Sequence, residues 1–318
     1  MRPAPPPKET ALAGLLREID HTHLRPSPEQ VAVAKDRATR LVEELHRGPA
    51  WMFTVRKHGP HGSVSRRTAL NQFNDLDWKV ELDPDALRTT QGQDRSAKDT
   101  ISRLASAIRA RRAGLVALEV MSVRPQNHSV GVGYHHLRID LVPLIRHRGT
   151  LYIPERETGD WIATDPEQTA DRLIAAKARV PHAGIAVRLR KAWRRARGRG
   201  APIASFALET WVVDTALRES LPLDGLLRRF YSEVGGAHKS RPLDLAGGTS
   251  TGDAVSLVDP VSGLNLTSRL LPDDRKVLID NARRANLTLD EIQQDLSQGR
   301  EARSRSAAIE LFVGRRWR

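Results

Sequence analysis

Apolar residues near the N-terminus recur at helical spacing and predict two helices. The first covers residues 11–19. The second begins after Ser27, which is a suitable cap, with Pro28 at the first helical position and Gln30 completing a capping box. It continues to about His46 along one apolar stripe formed by Val31, Ala34, Ala38, Leu41, Val42 and Leu45.

The pattern changes to a period of two further along the chain. Residues 75–82 alternate between polar and apolar side chains, which predicts a strand with one buried face. A helix carrying Ile101, Leu104 and Ile108 on one stripe follows. Three further strands are predicted at 115–123, 129–132 and 137–143, and a hairpin from 151–153 and 161–163.

Beyond Asp165 the pattern is helical. Helices are predicted at 166–178, 184–197, 203–217, 222–233, 272–285 and 289–298. Thr288 and Glu291 suggest a capping box for the last helix, Gly299 suggests its end, and the Gly-rich stretch 247–252 is expected to form a flexible loop. The chain is therefore expected to have an N-terminal α+β half and a C-terminal helical half, with a boundary near residue 160.

Composition narrows the range of functions. The 318 residues include 51 Lys and Arg against 38 Asp and Glu, a net charge of +13, which indicates phosphate-bearing partners or a basic surface that favours solubility. The chain has no cysteine, which excludes disulfides, thiolate metal sites and a cysteine nucleophile. It also has no apolar run typical of a signal peptide or membrane span, so we expect a cytoplasmic protein with no membrane partner.

Three carboxylates carry the candidate chemistry. Asp75 and Asp77 lie two residues apart on a predicted strand, so both project from the face opposite Leu76 and Trp78. Such carboxylates repel each other unless a cation lies between them, and Mg²⁺ prefers oxygen ligands of this kind. Asp140 is the only acidic residue in the apolar run 137–143 and is a candidate third ligand.

A Gly-Ser pair precedes these carboxylates. Gly62 permits a close backbone approach, and Ser63 offers a hydroxyl and an amide to a phosphate twelve positions before Asp75. Asp-x-Asp alone is common on solvated strands, but the ordered combination of Gly-Ser, Asp-x-Asp and a later lone Asp is far more specific. Gly131-Val132-Gly133 lacks the third glycine of a dinucleotide fingerprint and is placed between strands.

This combination resembles the polymerase-β-like nucleotidyltransferase superfamily, and in particular the bacterial cGAS/DncV-like nucleotidyltransferases (CD-NTases), relatives of oligoadenylate synthases. The resemblance covers about residues 10–295 and includes Thr68, the segments 139–143 and 161–166, and the later segments 187–193, 205–209 and 259–265. It implies an α+β bilobed fold, with a mixed catalytic sheet, a long N-terminal spine helix and a helical C-terminal lobe that closes the active-site cleft.

The sequence pattern and the resemblance together predict a domain layout. Residues 1–10 would form a disordered tail, 11–160 the catalytic lobe with its spine helix, 161–300 the helical lobe and 301–318 a basic C-terminal segment. Two departures stand out: Arg67 stands where many relatives have Gly, and Val64 where they often have an aromatic residue.

The family's functional residues map onto this chain by motif. Asp75, Asp77 and Asp140 would hold two Mg²⁺ ions, with Mn²⁺ as a possible substitute. Gly62 and Ser63 would contact the triphosphate. Three further nucleotide-binding residues are implied in the helical lobe: Lys191 and Ser205 for the triphosphate, and Phe206 for stacking on a base.

The function expected from the resemblance is Mg²⁺-dependent joining of nucleoside triphosphates into a cyclic or linear oligonucleotide, with release of pyrophosphate. The product would be a second messenger that switches on a downstream antiphage effector, and a nucleic-acid activator is not favoured. Two alternatives remain open: a template-independent RNA-tailing or CCA-adding enzyme, and a catalytically silent nucleic-acid-binding module.

Overall fold

A computed structural model describes residues 10–47, 53–71, 74–87, 96–111, 119–236, 257–268 and 270–314. Their contacts divide the chain into two units. One unit consists of Pro26–Thr169, and the other combines Met1–Arg25 with Ala170–Arg318. The predicted loop at 247–252 and most of the predicted N-terminal tail lie outside the described residues.

A mixed sheet forms the centre of the Pro26–Thr169 unit. Among the described residues, the strands of this sheet are β1 (Val55–Pro60), β2 (Asp75–Leu82), β3 (Ser122–Pro125), β4 (Val130–Gly133), β5 (Arg138–His147), β6 (Thr150–Pro154) and β7 (Trp161–Thr164). The order is β1-β2-β5-β4-β3, and β6 pairs with both β5 and β7. Only β2 and β5 pair in parallel among the described strands.

The described residues of this unit also form the helices α2 (Pro28–His46), α3 (Gly62–Ser65) and α4 (Ala97–Ala110). A 3₁₀ turn spans Pro84–Leu87. The predicted capping box of α2 is confirmed, because the Gln30 backbone N–H donates to Ser27 Oγ and the Ser27 N–H donates to Gln30 Oε1. The apolar stripes of α2 and α4 pack against the buried face of β2, so the sequence periodicities describe a single core.

The other unit is helical. Its described residues form α1 (Ala11–Ile19), a π-helical turn (Asp20–Leu24) and six later helices. These are α5 (Pro166–Arg179, which begins just before the boundary), α6 (Ala183–Arg197), α7 (Ser205–Arg218), α8 (Leu223–Gly236), α9 (Pro272–Ser297) and α10 (Glu301–Phe312). Four buried aromatic side chains contact one another at its centre: Trp193, Trp211, Phe230 and Tyr231.

The C-terminal helices differ from the prediction. Residues 272–285 and 289–298 were predicted as two helices, but α9 runs through both without a break. Thr288 is not a cap, because its hydroxyl donates to the Arg284 carbonyl one turn earlier, and the buried stripe continues through Leu289. The helix ends before Gly299, whose φ of 73° allows the turn. Residues 301–318 were predicted only as a basic segment, yet α10 buries Leu311 and Phe312.

The division into units also differs from the predicted boundary. β7 belongs to the sheet because it pairs with β6, so the sheet extends past residue 160. α1 groups with the later helices rather than with the sheet, because it contacts α8, α9 and α10. β1 and α3 were not predicted; β1 is an edge strand of mostly polar residues and lacks the alternation that marks β2.

Candidate active site

The parallel pairing of β2 and β5 brings the three aspartates to neighbouring strands. Asp77 lies directly opposite Asp140 in the register, and Asp75 lies opposite Arg138. The three aspartates therefore share one end of the strand pair and one face of the sheet, as the predicted alternation requires. Their exposure differs, because the Asp75 side chain is 57% exposed and that of Asp140 is 9% exposed.

The Gly-Ser pair lies next to Asp77. The N–H of His61 donates to the Asp77 carbonyl over 2.8 Å, which joins the start of α3 to β2. Gly62 has a φ of 58°, and a Cβ on it would lie 2.0 Å from Asp77 Oδ2. Only glycine fits here, since any side chain would clash with the carboxylate. The structure thus unites Gly62 and Ser63 with the aspartates.

The loop after Ser63 explains one sequence departure. The N–H of Thr68 donates to the Ser63 carbonyl over 2.8 Å, and the Thr68 side chain is buried. Arg67, just before it, has a φ of 58°, in the left-handed region that favours glycine. A glycine, which the family resemblance implies at this position, would suit this conformation, and Arg67 adopts it at a cost in strain. Val64 is buried in the core of the sheet unit.

Arg138 supplies a positive charge between two of the carboxylates. Its Nε donates to Asp140 Oδ1 over 2.9 Å and its Nη2 to Asp140 Oδ2 over 3.3 Å. The same Nη2 lies 3.0 Å from Asp75 Oδ1. Burial alone lowers the pKa of Arg138, but the carboxylates of Asp140, Asp75 and Asp77 together raise it above its ordinary value. The guanidinium is therefore a stable cation at the site.

Burial dominates the ionisation of Asp140. It raises the pKa of that carboxyl, and the nearby Asp75 raises it further, whereas Arg138 and a hydrogen bond from Gln126 oppose the rise. The imidazole of His61, the residue whose backbone N–H donates to the Asp77 carbonyl, contributes no charge near pH 7. Burial, followed by the positive charges of Arg66 and Lys79, lowers the pKa of His61 to about 4.

Two residues without a predicted role also support Asp140. Gln126, in the turn between β3 and β4, donates from Nε2 to Asp140 Oδ1 over 2.9 Å, and its own Oε1 accepts from the Ser129 hydroxyl over 3.0 Å. Gly131 lies within β4, not between strands, directly opposite Asp140. A Cβ there would lie 2.5 Å from Gln126 Nε2, so the glycine leaves room for this hydrogen bond.

The donor set fits a hard divalent cation. It consists of carboxylates on adjacent strands, one of them buried, and a guanidinium is already present as a stand-in cation. Within the described ranges, no three His, Asp or Glu side chains are gathered closely enough to enclose a metal ion. The carboxylates are instead arranged around Arg138. The sequence pattern had pointed to all three carboxylates of this cluster but not to Arg138.

The remaining predicted residues lie in the helical unit. Lys191, on α6, donates from Nζ to Glu209 Oε2 on α7 over 2.6 Å, and both side chains are buried. Ser205 is the first residue of α7, and its Oγ accepts from Arg194 Nη1 over 3.3 Å. Phe206 follows it and is half-buried.

The basic run of α6 and the turn after it does not form a uniform solvated face; it consists of Arg188, Arg190, Lys191, Arg194, Arg195, Arg197 and Arg199. Arg188 is buried and makes two hydrogen bonds of 2.7 Å to the buried Asp20. Arg190 is buried with its guanidinium 3.9 Å from the ring centroid of Trp211, and this burial lowers its pKa to about 9. Arg195 and Arg199 are exposed. Three of the seven basic residues, Arg188, Arg190 and Lys191, are therefore buried within this unit.

Comparisons with known proteins identify the family to which the chain belongs. The model of the Second Messenger Oligonucleotide or Dinucleotide Synthetase (SMODS) domain matches residues 17–176, half of the chain. The cyclic AMP-AMP-AMP synthase of Escherichia coli (strain MS 115-1) is 26% identical over 264 residues, 75% of this chain and 77% of that protein. No helix among the described residues has the length and apolar character needed to cross a membrane.

Solved structures share the fold across nearly the whole chain. CdnC of E. coli MS115-1 with ATP has a TM-score of 0.69 and 21% identity, covering 95% of this chain and 97% of that one. The CD-NTase CdnG of Bradyrhizobium diazoefficiens with GTP has a TM-score of 0.63 and 14% identity, covering 96% and 100%. Taken with the family match and the paired aspartates, this likeness shows that the chain belongs to the SMODS family and is a nucleotidyltransferase of the bacterial CD-NTase type.

Proposed function

We propose that Asp75, Asp77 and Asp140 hold two Mg²⁺ ions and that the chain joins nucleoside triphosphates at this site into a cyclic or linear oligonucleotide second messenger. The observation that carries the proposal is the parallel register that sets Asp77 opposite Asp140, beside the Gly62–Ser63 turn. Two metals, when bound, supply activation of a ribose hydroxyl and charge stabilisation of the transferring phosphoryl group.

The residues of the chain bind and orient the reactants. The three carboxylates that would bind the metal ions lie on a rigid strand pair, which favours the precise alignment that in-line phosphoryl transfer needs. Ser63 is half-buried and lies at the start of α3 beside Asp77, where its hydroxyl and N–H are suited to a phosphate oxygen. Gln126 and Ser129 keep Asp140 in place during the reaction.

Lys191, Ser205 and Phe206 are proposed as further nucleotide contacts. Ser205 begins α7, and no side chain caps that helix, so its first N–H groups are suited to an anion. The half-buried ring of Phe206 is suited to stacking on a base. Lys191 requires a change of partner, because its ammonium is paired with Glu209.

We also propose that the product acts on an antiphage effector in the cytoplasm and that synthesis needs no nucleic-acid activator. In support, Arg188, Arg190 and Lys191 are engaged within the helical unit, which reduces the basic surface that α6 offers to nucleic acid. Stimulation by duplex DNA or RNA that disappears between about 50 and 200 mM salt would contradict this part of the proposal.

The test is to incubate the purified chain with all four NTPs and Mg²⁺, treat the products with phosphatase, and analyse them by mass spectrometry. We expect a phosphatase-resistant small oligonucleotide, with ATP the first substrate to test because the curated relative is a cyclic AMP-AMP-AMP synthase. The Asp75→Ala/Asp77→Ala variant serves as the control. Label found only on added tRNA would instead indicate an RNA-tailing enzyme, and no product under any condition would indicate a silent module.

A further inference from the structure

We propose that Arg138 is an intramolecular counter-ion of the active site, which a divalent metal must displace and which therefore weakens metal binding to the nucleotide-free chain. The proposal rests on the proposed function of the three aspartates as metal ligands. It concerns a residue for which the sequence pattern gave no role.

The first argument is competition for the same oxygen atoms. Arg138 donates to both carboxylate oxygens of Asp140 and lies 3.0 Å from Asp75 Oδ1. Mg²⁺ binds carboxylate oxygens at about 2.0–2.1 Å, so an ion on Asp140 would lie only a few ångströms from the guanidinium in its present position. Two cations at that separation repel each other strongly. Metal and guanidinium therefore exclude each other from this position.

The second argument is that Arg138 has somewhere to go. Its side chain is 46% exposed, so the guanidinium is able to turn towards solvent without opening the core. Its backbone remains fixed, because Arg138 lies in β5 opposite Asp75 on β2 and Gly133 on β4. When the arginine leaves such a pair, its guanidinium becomes hydrated by solvent, so the exchange leaves no unpaired cation in the interior.

The third argument is that Asp140 stays in place when Arg138 leaves. Gln126 holds Asp140 Oδ1 over 2.9 Å, and the Ser129 hydroxyl holds Gln126 in turn. A neutral amide donor does not repel a metal ion as a guanidinium does. The site thus contains one group that positions the carboxylate permanently and another that neutralises it until metal arrives.

The test measures Mn²⁺ binding to the full chain without nucleotide, by the electron paramagnetic resonance signal of free Mn²⁺. Arg138→Gln removes the charge and keeps a hydrogen-bonding side chain, and Arg138→Lys keeps the charge but loses the paired geometry. The matched control is Arg146→Gln on the same strand, since Arg146 pairs with Glu81 of β2 over 3.1 Å as Arg138 pairs with Asp75. Asp140→Asn in both backgrounds reports whether binding occurs at this site.

We expect Arg138→Gln to bind Mn²⁺ at least about fivefold more tightly than the unchanged chain, with Arg138→Lys in between and Arg146→Gln unchanged. Asp140→Asn should abolish the gain. Equal or weaker binding by Arg138→Gln, including no detectable binding by either chain, would overturn the role of Arg138. Binding that Asp140→Asn leaves intact in both backgrounds would instead show that the metal site itself is assigned wrongly. Thermal unfolding without metal confirms that each variant is folded.

Discussion

Lys191 and Glu209 form a buried ion pair that joins α6 to α7, with Nζ 2.6 Å from Oε2. Removing one partner of such a pair leaves the other charge without compensation in the interior, which typically costs about 3–5 kcal/mol. The same lysine is proposed to contact a triphosphate. A simple alanine substitution therefore mixes a loss of stability with a loss of nucleotide binding.

The two effects separate when both charges are removed. We expect Lys191→Ala to lower the free energy of unfolding by roughly 3 kcal/mol and Lys191→Met/Glu209→Gln to lower it by far less. If Lys191 contacts the triphosphate, the double variant should fold but show a raised KM for NTP. Arg199→Ala, on the exposed part of the basic run, is the control for charge. Equal effects of the double variant and Arg199→Ala on KM would argue against a specific role for Lys191.

Each single alanine variant of Asp75, Asp77 and Asp140 should lose at least about a hundredfold in product formation, because metal ligands act as a unit. Stability should distinguish them. Asp140→Ala leaves the Arg138 guanidinium with only its contact to Asp75, so its melting temperature should fall, whereas Asp75→Ala removes an exposed group and should change it little. Circular-dichroism melts of the metal-free variants provide the measurement, and an Asp140→Ala variant more stable than the parent would contradict this account.

The two positive-φ residues of the Gly-Ser loop should respond in opposite ways. Gly62→Ala should abolish product formation, because the added methyl group would lie 2.0 Å from Asp77 Oδ2. Arg67→Gly should keep the loop and raise the free energy of unfolding by about 1 kcal/mol, because glycine relieves the left-handed backbone. Activity assays and denaturant unfolding of both variants test the pair. A destabilised Arg67→Gly would show that the arginine side chain contributes more than its backbone conformation costs.

Asp20 and Arg188 should contribute far more to stability than a nearby exposed ion pair. Both side chains are buried, and Asp20→Asn should cost about 3 kcal/mol because it removes the carboxylate charge to which the buried Arg188 guanidinium donates two hydrogen bonds. Glu18, two residues earlier, pairs with Arg305 at the surface, and Glu18→Gln should cost less than about 1 kcal/mol. Urea unfolding of the two variants gives the comparison. Similar losses would mean that the Asp20 pair is no stronger than a surface contact.

Residues of the candidate site could be predicted from the sequence where their neighbours along the chain mark them, and not where distant strand pairing decides their contacts. The alternation in 75–82 placed Asp75 and Asp77 on one face, and the lone Asp140 in an apolar run marked the third carboxylate. Arg138 was detectable in principle, since it lies two residues before Asp140 and so shares its face of the strand. Gln126 was not, because a turn residue acquires its partner only through the pairing of β3, β4 and β5.

The fold was predicted where patterns were periodic and missed where tertiary contacts decide. α2 and β2 carry their own caps and alternation, so their bounds followed directly. The break proposed between 285 and 289 relied on Thr288 as a cap, but the continuous buried stripe of α9 prevails over that local preference. Likewise the polar edge strand β1 exists only because β2 offers it a partner.

The same hydrophobic residues that set the register between β2 and β5 also set the alignment of Asp77 with Asp140. Leu76 and Trp78 on one strand and Ile139 and Leu141 on the other are buried on the side opposite the aspartates. Slipping either strand by one residue would turn the two apolar side chains of that strand away from the core, and it would also separate Asp77 from Asp140. A molecule with misaligned carboxylates would therefore also be unstable and open to proteolysis. The packing of the core thus selects, among folded molecules, those in which Asp77 lies opposite Asp140.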